Sequence, residues 1–155
     1  MTYCRAWKKE KTLFLLSDTC VSEKYGKINN YKSSFGDKFG IYNNYSVSES
    51  EIKIVTINDK IAIAYSGNIE KAKEAIDNLI TSIKHFDVKN SLAKLEATYN
   101  TDEFELIVVC MELNHEIYYF NGSVCTTIEK YIEIGSGKED KDFCDKIDKF
   151  IERAI

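Results

Sequence analysis

Residues 51–67 read EIKIVTINDKIAIAYSG: two short runs of Ile, Val and Ala on either side of Asn58-Asp59. Apolar β-branched runs joined by a two-residue Asn-Asp link are hairpin chemistry, so the stretch predicts a strand over Glu51–Ile57 and its partner over Lys60–Gly67. Asn68 then offers a helix N-cap. Ile69, Ala72, Ala75, Ile76, Leu79, Ile80 and Ile83 follow at helical spacing, with Glu70, Lys73, Glu74 and Asp77 on the opposite, solvated face. A hairpin therefore runs directly into an amphipathic helix. Within the first strand, Lys53 stands among Ile52, Ile54 and Val55. An ammonium in such company needs a carboxylate partner or must give up its proton.

Upstream, Thr2–Lys8 predicts a strand, Lys9-Glu10-Lys11 a turn, and Thr12–Asp18 a returning strand. The run Leu13-Phe14-Leu15-Leu16 is apolar on both faces, which predicts a central strand covered on each side. Residues 23–49, rich in Asn, Ser, Gly and Tyr, read as loop with short edge strands. Downstream, Val88–Thr98 predicts a second helix with Leu92 and Leu95 inward. Strands follow at Phe104–Leu113, Glu116–Phe120, Ser123–Ile128 and Tyr131–Gly135, with Asn121-Gly122 as a turn. A last amphipathic helix over Lys138–Ile155 is expected to bury Phe143, Ile147, Phe150 and Ile151. Hairpin-linked strands separated by paired helices favour antiparallel sheets over a Rossmann alternation. The class is α+β, and two such sheets stacked face to face would make a four-layer αββα sandwich.

At 155 residues, the chain has the size of one domain, expected to span 1–155. A net charge of −4, with Lys and Glu interleaved, gives no electrostatic case for nucleic acid or an anionic membrane. No apolar run approaches the roughly 18 residues of a membrane span, and the N-terminus has no signal-peptide core. A cytoplasmic location is expected. Cys4, Cys20, Cys110, Cys125 and Cys144 form no CxxC pair, and His85 and His115 are the only histidines, so a His/Cys metal site has few ligands to draw on. Reduced, mostly buried thiols are the expectation.

Thr2 follows Met1, and methionine before a small side chain is commonly excised. Excision would leave a threonine with a free α-amine beside its β-hydroxyl. An unperturbed α-amine has a pKa of about 7.7–8.0 and can act as a base near neutrality. That base can activate the adjacent hydroxyl without a histidine. Asp18 closes the second strand, where its carboxylate can meet Lys53. Gly67 ends a strand immediately before a helix, where a backbone N–H can face a ligand with no side chain in the way.

In this order the residues resemble the proteasome β-subunits and the peptidase of the bacterial two-component ATP-dependent protease, which are N-terminal-nucleophile (Ntn) hydrolases. The Thr2-to-Asp18 spacing fits that family. Residues 53–61, KIVTINDKI, are similar to its catalytic-lysine strand, turn and return strand. Tyr65-Ser66-Gly67 resembles its oxyanion segment, and Ile132-Glu133-Ile134-Gly135-Ser136-Gly137 its Gly-Ser-Gly signature. The resemblance implies the αββα fold, C-terminally shortened because the chain ends with the third helix. It implies a threonine-type peptidase or amidohydrolase with Thr2, Asp18, Lys53, Gly67 and Ser136 as catalytic residues and with Val21, Tyr65 and Ile69 lining the substrate side-chain pocket. It calls for no cofactor and no metal. The implied partners are a peptide or unfolded protein as substrate and further copies of the chain in a homo-oligomeric ring.

Two other readings use the same residues. One keeps the fold as an inactive proteasome-like assembly or binding protein. The other is a cysteine enzyme built on Cys4 or Cys20, neither of which has a histidine nearby in sequence.

Overall fold

The structure is a computed structural model describing residues 2–24, 41–42, 45–49, 51–112 and 114–154, with side chains for 2–19, 51–112 and 114–154. Every strand pairing in it is antiparallel. β1 (Cys4–Lys9), β2 (Thr12–Ser17) and β11 (Tyr131–Ile134) form one sheet in the order β11-β1-β2. A five-stranded sheet runs β10-β9-β8-β7-β6. It comprises β6 (Ile54–Thr56), β7 (Ile61–Gly67), β8 (Phe104–Cys110), β9 (Glu116–Phe120) and β10 (Cys125–Ile128). β3 (Cys20–Lys24), β4 (Ile41–Tyr42) and β5 (Tyr45–Glu49) pair separately, with β5 central. Between β7 and β8 come α1 (Ile69–Ile83) and α2 (Val88–Thr98); α3 (Lys141–Ala154) closes the chain.

The period-two alternation of β7 and β8 sorts the core into two layers. Ile61, Ile63, Tyr65, Leu106 and Val108 face Ala72, Ala75, Ile76 and Leu79 of α1 and Leu92 and Leu95 of α2. Ala64, Ile107 and Val109 face the other way, onto Cys4, Ala6 and Ile134 of the first sheet. The hairpin at 51–67 thus lies between helices and a second sheet. Both helices begin at the caps their sequences offer: the Asn68 side chain accepts from the Lys71 N–H and the Asp87 side chain from the Asn90 N–H.

Three expectations change. β2 is an edge strand with half-buried residues, not a central one. Its two apolar faces have separate causes. Leu13 and Leu15 pack into the inter-sheet core, whereas Phe14 stacks on Trp7 of the paired strand at 4.9 Å between centroids. The strand expected over Glu51–Ile57 shortens to Ile54–Thr56, leaving Lys53 just ahead of it. The last helix is preceded by a 3-10 turn at Ser136–Glu139, and α3 buries none of its residues. Phe143 meets Tyr3 edge-on at 5.0 Å and Asp148 pairs with Arg5, while Phe150 is 58% exposed. Phe143, Ile147 and Ile151 are half-buried, so the seam is shallower than expected, and an aromatic contact and an ion pair add to it.

Leu79 is fully buried at the centre of the helix-facing core. Leu79→Ala is expected to cost about 2–5 kcal/mol in urea denaturation, the range for a cavity in a packed interior.

Candidate active site

Thr2, Asp18 and Lys53 come from three chain segments and meet at one end of the paired sheets. Asp18 follows β2, and its backbone N–H donates to the Tyr3 carbonyl at 2.9 Å. One Asp18 carboxylate oxygen accepts the Tyr3 N–H at 2.9 Å, and the other accepts from the Lys53 ammonium at 2.5 Å. The same ammonium donates to the Thr2 hydroxyl at 3.1 Å. Only 3% of the Lys53 side chain and 16% of the Asp18 side chain are exposed, so the charges interact with little solvent screening. Burial pushes the Asp18 carboxyl above its ordinary range, opposed by Lys53 and by the Tyr3 N–H. A lysine beside a hydroxyl favours loss of the hydroxyl proton in a way a neutral neighbour cannot.

The Thr2 main chain is fixed from below. Its carbonyl accepts from the Gly137 N–H at 2.8 Å, and its nitrogen faces Ser136 Oγ at 3.3 Å. Gly135 allows this approach. With φ +87°, it has a conformation that side chains resist, and a Cβ there would lie 2.2 Å from the Thr2 carbonyl oxygen.

Gly67 has φ +94° and is the last residue of β7. The next N–H, of Asn68, donates to the Glu103 carbonyl at 2.7 Å, which makes Gly67 and Phe104 a non-hydrogen-bonded pair. The Gly67 amide consequently points away from β8, to the side where the Tyr65 N–H donates to the Lys53 carbonyl at 3.2 Å. A cleft of about 440 Å³ opens on Thr2, Ser66, Gly67, Gly135 and Ser136, with Glu103, Glu105 and Lys138 at its wall. Its lining sets Thr2 beside the Ser66–Gly67 and Gly135–Ser136 main chain.

The structure therefore brings Thr2, Asp18 and Lys53 into contact, with Ser136 beside Thr2 and Gly67 across the cleft. Tyr65 is buried, with its hydroxyl donating to Glu51 at 2.8 Å, and Glu51 in turn pairs with Lys73 at 2.6 Å. Ile69 is half-buried against the cluster that contains Tyr65. The Val21 side chain lies outside the described residues. Sequence reasoning missed Glu51, a carboxylate two residues before Lys53, and Glu105, the polar interruption in an otherwise apolar strand. Cys4 is fully buried and burial pushes its thiol up to about 12, so it is no thiolate at neutral pH. Among the described residues no cluster of His, Cys, Asp and Glu could hold a metal ion, and no helix is long and apolar enough to cross a membrane.

No family model and no curated protein matches the chain. Among solved structures, the eukaryotic HslV from Trypanosoma brucei resembles it at 20% sequence identity, with a TM-score of 0.58 over 88% of this chain and 72% of the HslV chain. The likeness is one of fold. It matches the mixed arrangement of antiparallel sheets and three helices described above.

The Lys53–Asp18 pair gives a direct test of this geometry. Lys53→Met alone strands a buried carboxylate and is expected to cost about 3–5 kcal/mol. Asp18→Asn in the same background should recover at least about 1 kcal/mol of that loss, a non-additivity typical of contacting groups. Strict additivity in urea denaturation would place the two groups apart.

Proposed function

We propose that the chain is a threonine-type peptidase or amidohydrolase of the proteasome-like Ntn class, acting through Thr2 after removal of Met1. The observation that carries this reading is one ammonium, Lys53, held between the Thr2 hydroxyl and the Asp18 carboxylate. A lysine with 3% of its side chain exposed, turned onto a threonine hydroxyl, has no purpose in a core that an aliphatic residue would serve. The four-layer αββα arrangement, with α3 as the outer layer over the first sheet, belongs to the same proposal.

In the proposed reaction, the free α-amine of Thr2 accepts the hydroxyl proton, through a water, as Oγ1 attacks a peptide carbonyl. Lys53, paired with Asp18, favours the neutral amine and stabilises the developing alkoxide. The Gly67 N–H donates to the tetrahedral oxyanion, a role worth about 10²–10³ in rate. Ser136 orients the amine or its water. The intermediate collapses to an ester on Thr2, the amine returns its proton to the departing nitrogen, and water then hydrolyses the ester. Tyr65, Val21 and Ile69 line the pocket for the side chain before the cleaved bond. The Tyr65 phenol, tied to Glu51, makes that pocket shallow and suited to small residues. Peptides or unfolded proteins are the substrates, a homo-oligomeric ring is the working assembly, and the cytoplasm is the compartment.

Intact mass should show loss of Met1, and a peptide electrophile should form an adduct that maps to Thr2. Thr2→Ala should cut hydrolysis of a fluorogenic peptide amide below about one-thousandth of the processed protein's rate, as loss of a nucleophile does, with thermal stability kept. Cys4→Ala should leave that hydrolysis intact. Retention of Met1, or activity that survives Thr2→Ala, would favour the inactive or cysteine reading.

A further inference from the structure

Glu105 interrupts the apolar run of β8, and its side chain gathers four groups. One carboxylate oxygen accepts from the Gly135 N–H at 3.1 Å and from the Ser66 hydroxyl at 3.1 Å. The other accepts from the Tyr119 hydroxyl at 2.6 Å and lies 3.5 Å from the Lys138 ammonium. Burial raises the carboxyl, but the hydrogen bonds and Lys138 outweigh it, and the group is held below the ordinary carboxylate range. It is therefore ionised across neutral pH. A charged acceptor makes each of these bonds stronger than its neutral counterpart.

The two groups sharing one oxygen belong to opposite walls of the cleft. Ser66 is 3% exposed and precedes Gly67, and both line the cleft. Gly135 lies against the Thr2 carbonyl and precedes Ser136, which meets the Thr2 nitrogen. The first wall is on β7 of the five-stranded sheet and the second follows β11 of the other sheet. Backbone ladders fix each wall within its own sheet. The carboxylate of Glu105 links the two on the β8 side of the cleft, beside the Lys53 bonds to Thr2 and Asp18 and the Cys4 thiol on the Tyr65 carbonyl at 3.4 Å.

We propose that Glu105 is a positioning residue of the threonine site, setting the distance between the oxyanion donor Gly67 and the nucleophile Thr2 by clamping Ser66 to Gly135. The proposal rests on the threonine-peptidase reading and deepens it. Displacement of an oxyanion donor by even an ångström weakens a bond made only in the transition state, which lowers kcat and leaves ground-state binding alone.

The test compares Glu105→Ala and Glu105→Gln in the processed protein with a fluorogenic peptide amide. Glu105→Ala is expected to lower kcat about 10²-fold, the scale for loss of one oxyanion donor, at unchanged KM. Glu105→Gln keeps a carbonyl oxygen for the Ser66 hydroxyl and the Gly135 N–H, and should recover kcat to within about fivefold of wild type. A wild-type kcat in Glu105→Ala would overturn the proposal. So would equal loss in both variants with a matching fall in melting temperature, the mark of a purely structural charge. Amide hydrogen exchange separates this proposal from the activity it builds on. In Glu105→Ala, the Gly135 amide should lose protection selectively whether or not the wild-type protein hydrolyses peptides. Unchanged protection there would sink the clamp, whereas an inactive wild-type protein with selective loss would sink only the peptidase reading.

Discussion

A buried ammonium constrains this structure more than any other group in it. Lys53 has its backbone at the start of the central hairpin and its side chain sealed from water, where an uncompensated charge would cost several kcal/mol. Its nitrogen must find oxygens, and among the described contacts two of them come from the residue after β2 and from the start of the chain. Satisfying one charge fixes the end of the first sheet against the edge of the second. The reciprocal bonds between Tyr3 and Asp18 hold the carboxylate in place, so the ion pair and the strand pairing support each other. Packing alone would hold the two sheets together; the ion pair sets which ends meet.

Much of this was legible in the sequence because the physical signals were local. The hairpin turn at Asn58, the Asn68 and Asp87 caps and the period of α1 each depend on a few neighbouring residues, although the turn closes over three residues, 58–60, where two were expected. The convergence of Thr2, Asp18 and Lys53 was legible for another reason: a lysine flanked by Ile and Val demands a partner, and the resemblance named it. Less legible was anything decided by what covers a surface. Leu13-Phe14-Leu15-Leu16 has the pattern of a central strand, yet an edge strand gains the same pattern when its outer face carries an aromatic stack. Phe150 follows the helical period of α3 but remains exposed, since periodicity marks a face without supplying its partner. Glu105 was hidden because its role depends on the distant Gly135 and Ser66.

The site combines rigid parts of opposite character. Its charged half, Lys53 with Asp18, is largely shielded from solvent and dominated by side chains. Its other half is main chain: the Gly67 amide, the Gly135 contact and the Gly137 N–H on Thr2. Main-chain groups placed by sheet registers lose no rotamer freedom when a substrate arrives, which suits them to a fixed cradle. Both glycines with positive φ at the cleft border backbone atoms too closely for any side chain, so neither can be exchanged without moving a strand.

The anchoring of Thr2 has a bearing on the proposed removal of Met1. Its carbonyl is held by Gly137, its hydroxyl by Lys53, and the residue after it by Asp18. None of these bonds involves an atom ahead of the Thr2 nitrogen. The chain is moored from that residue onward, and the mooring is indifferent to what precedes it. Under the proposed removal of Met1, turning the nitrogen from an amide into an amine would alter its proton affinity and break none of these bonds.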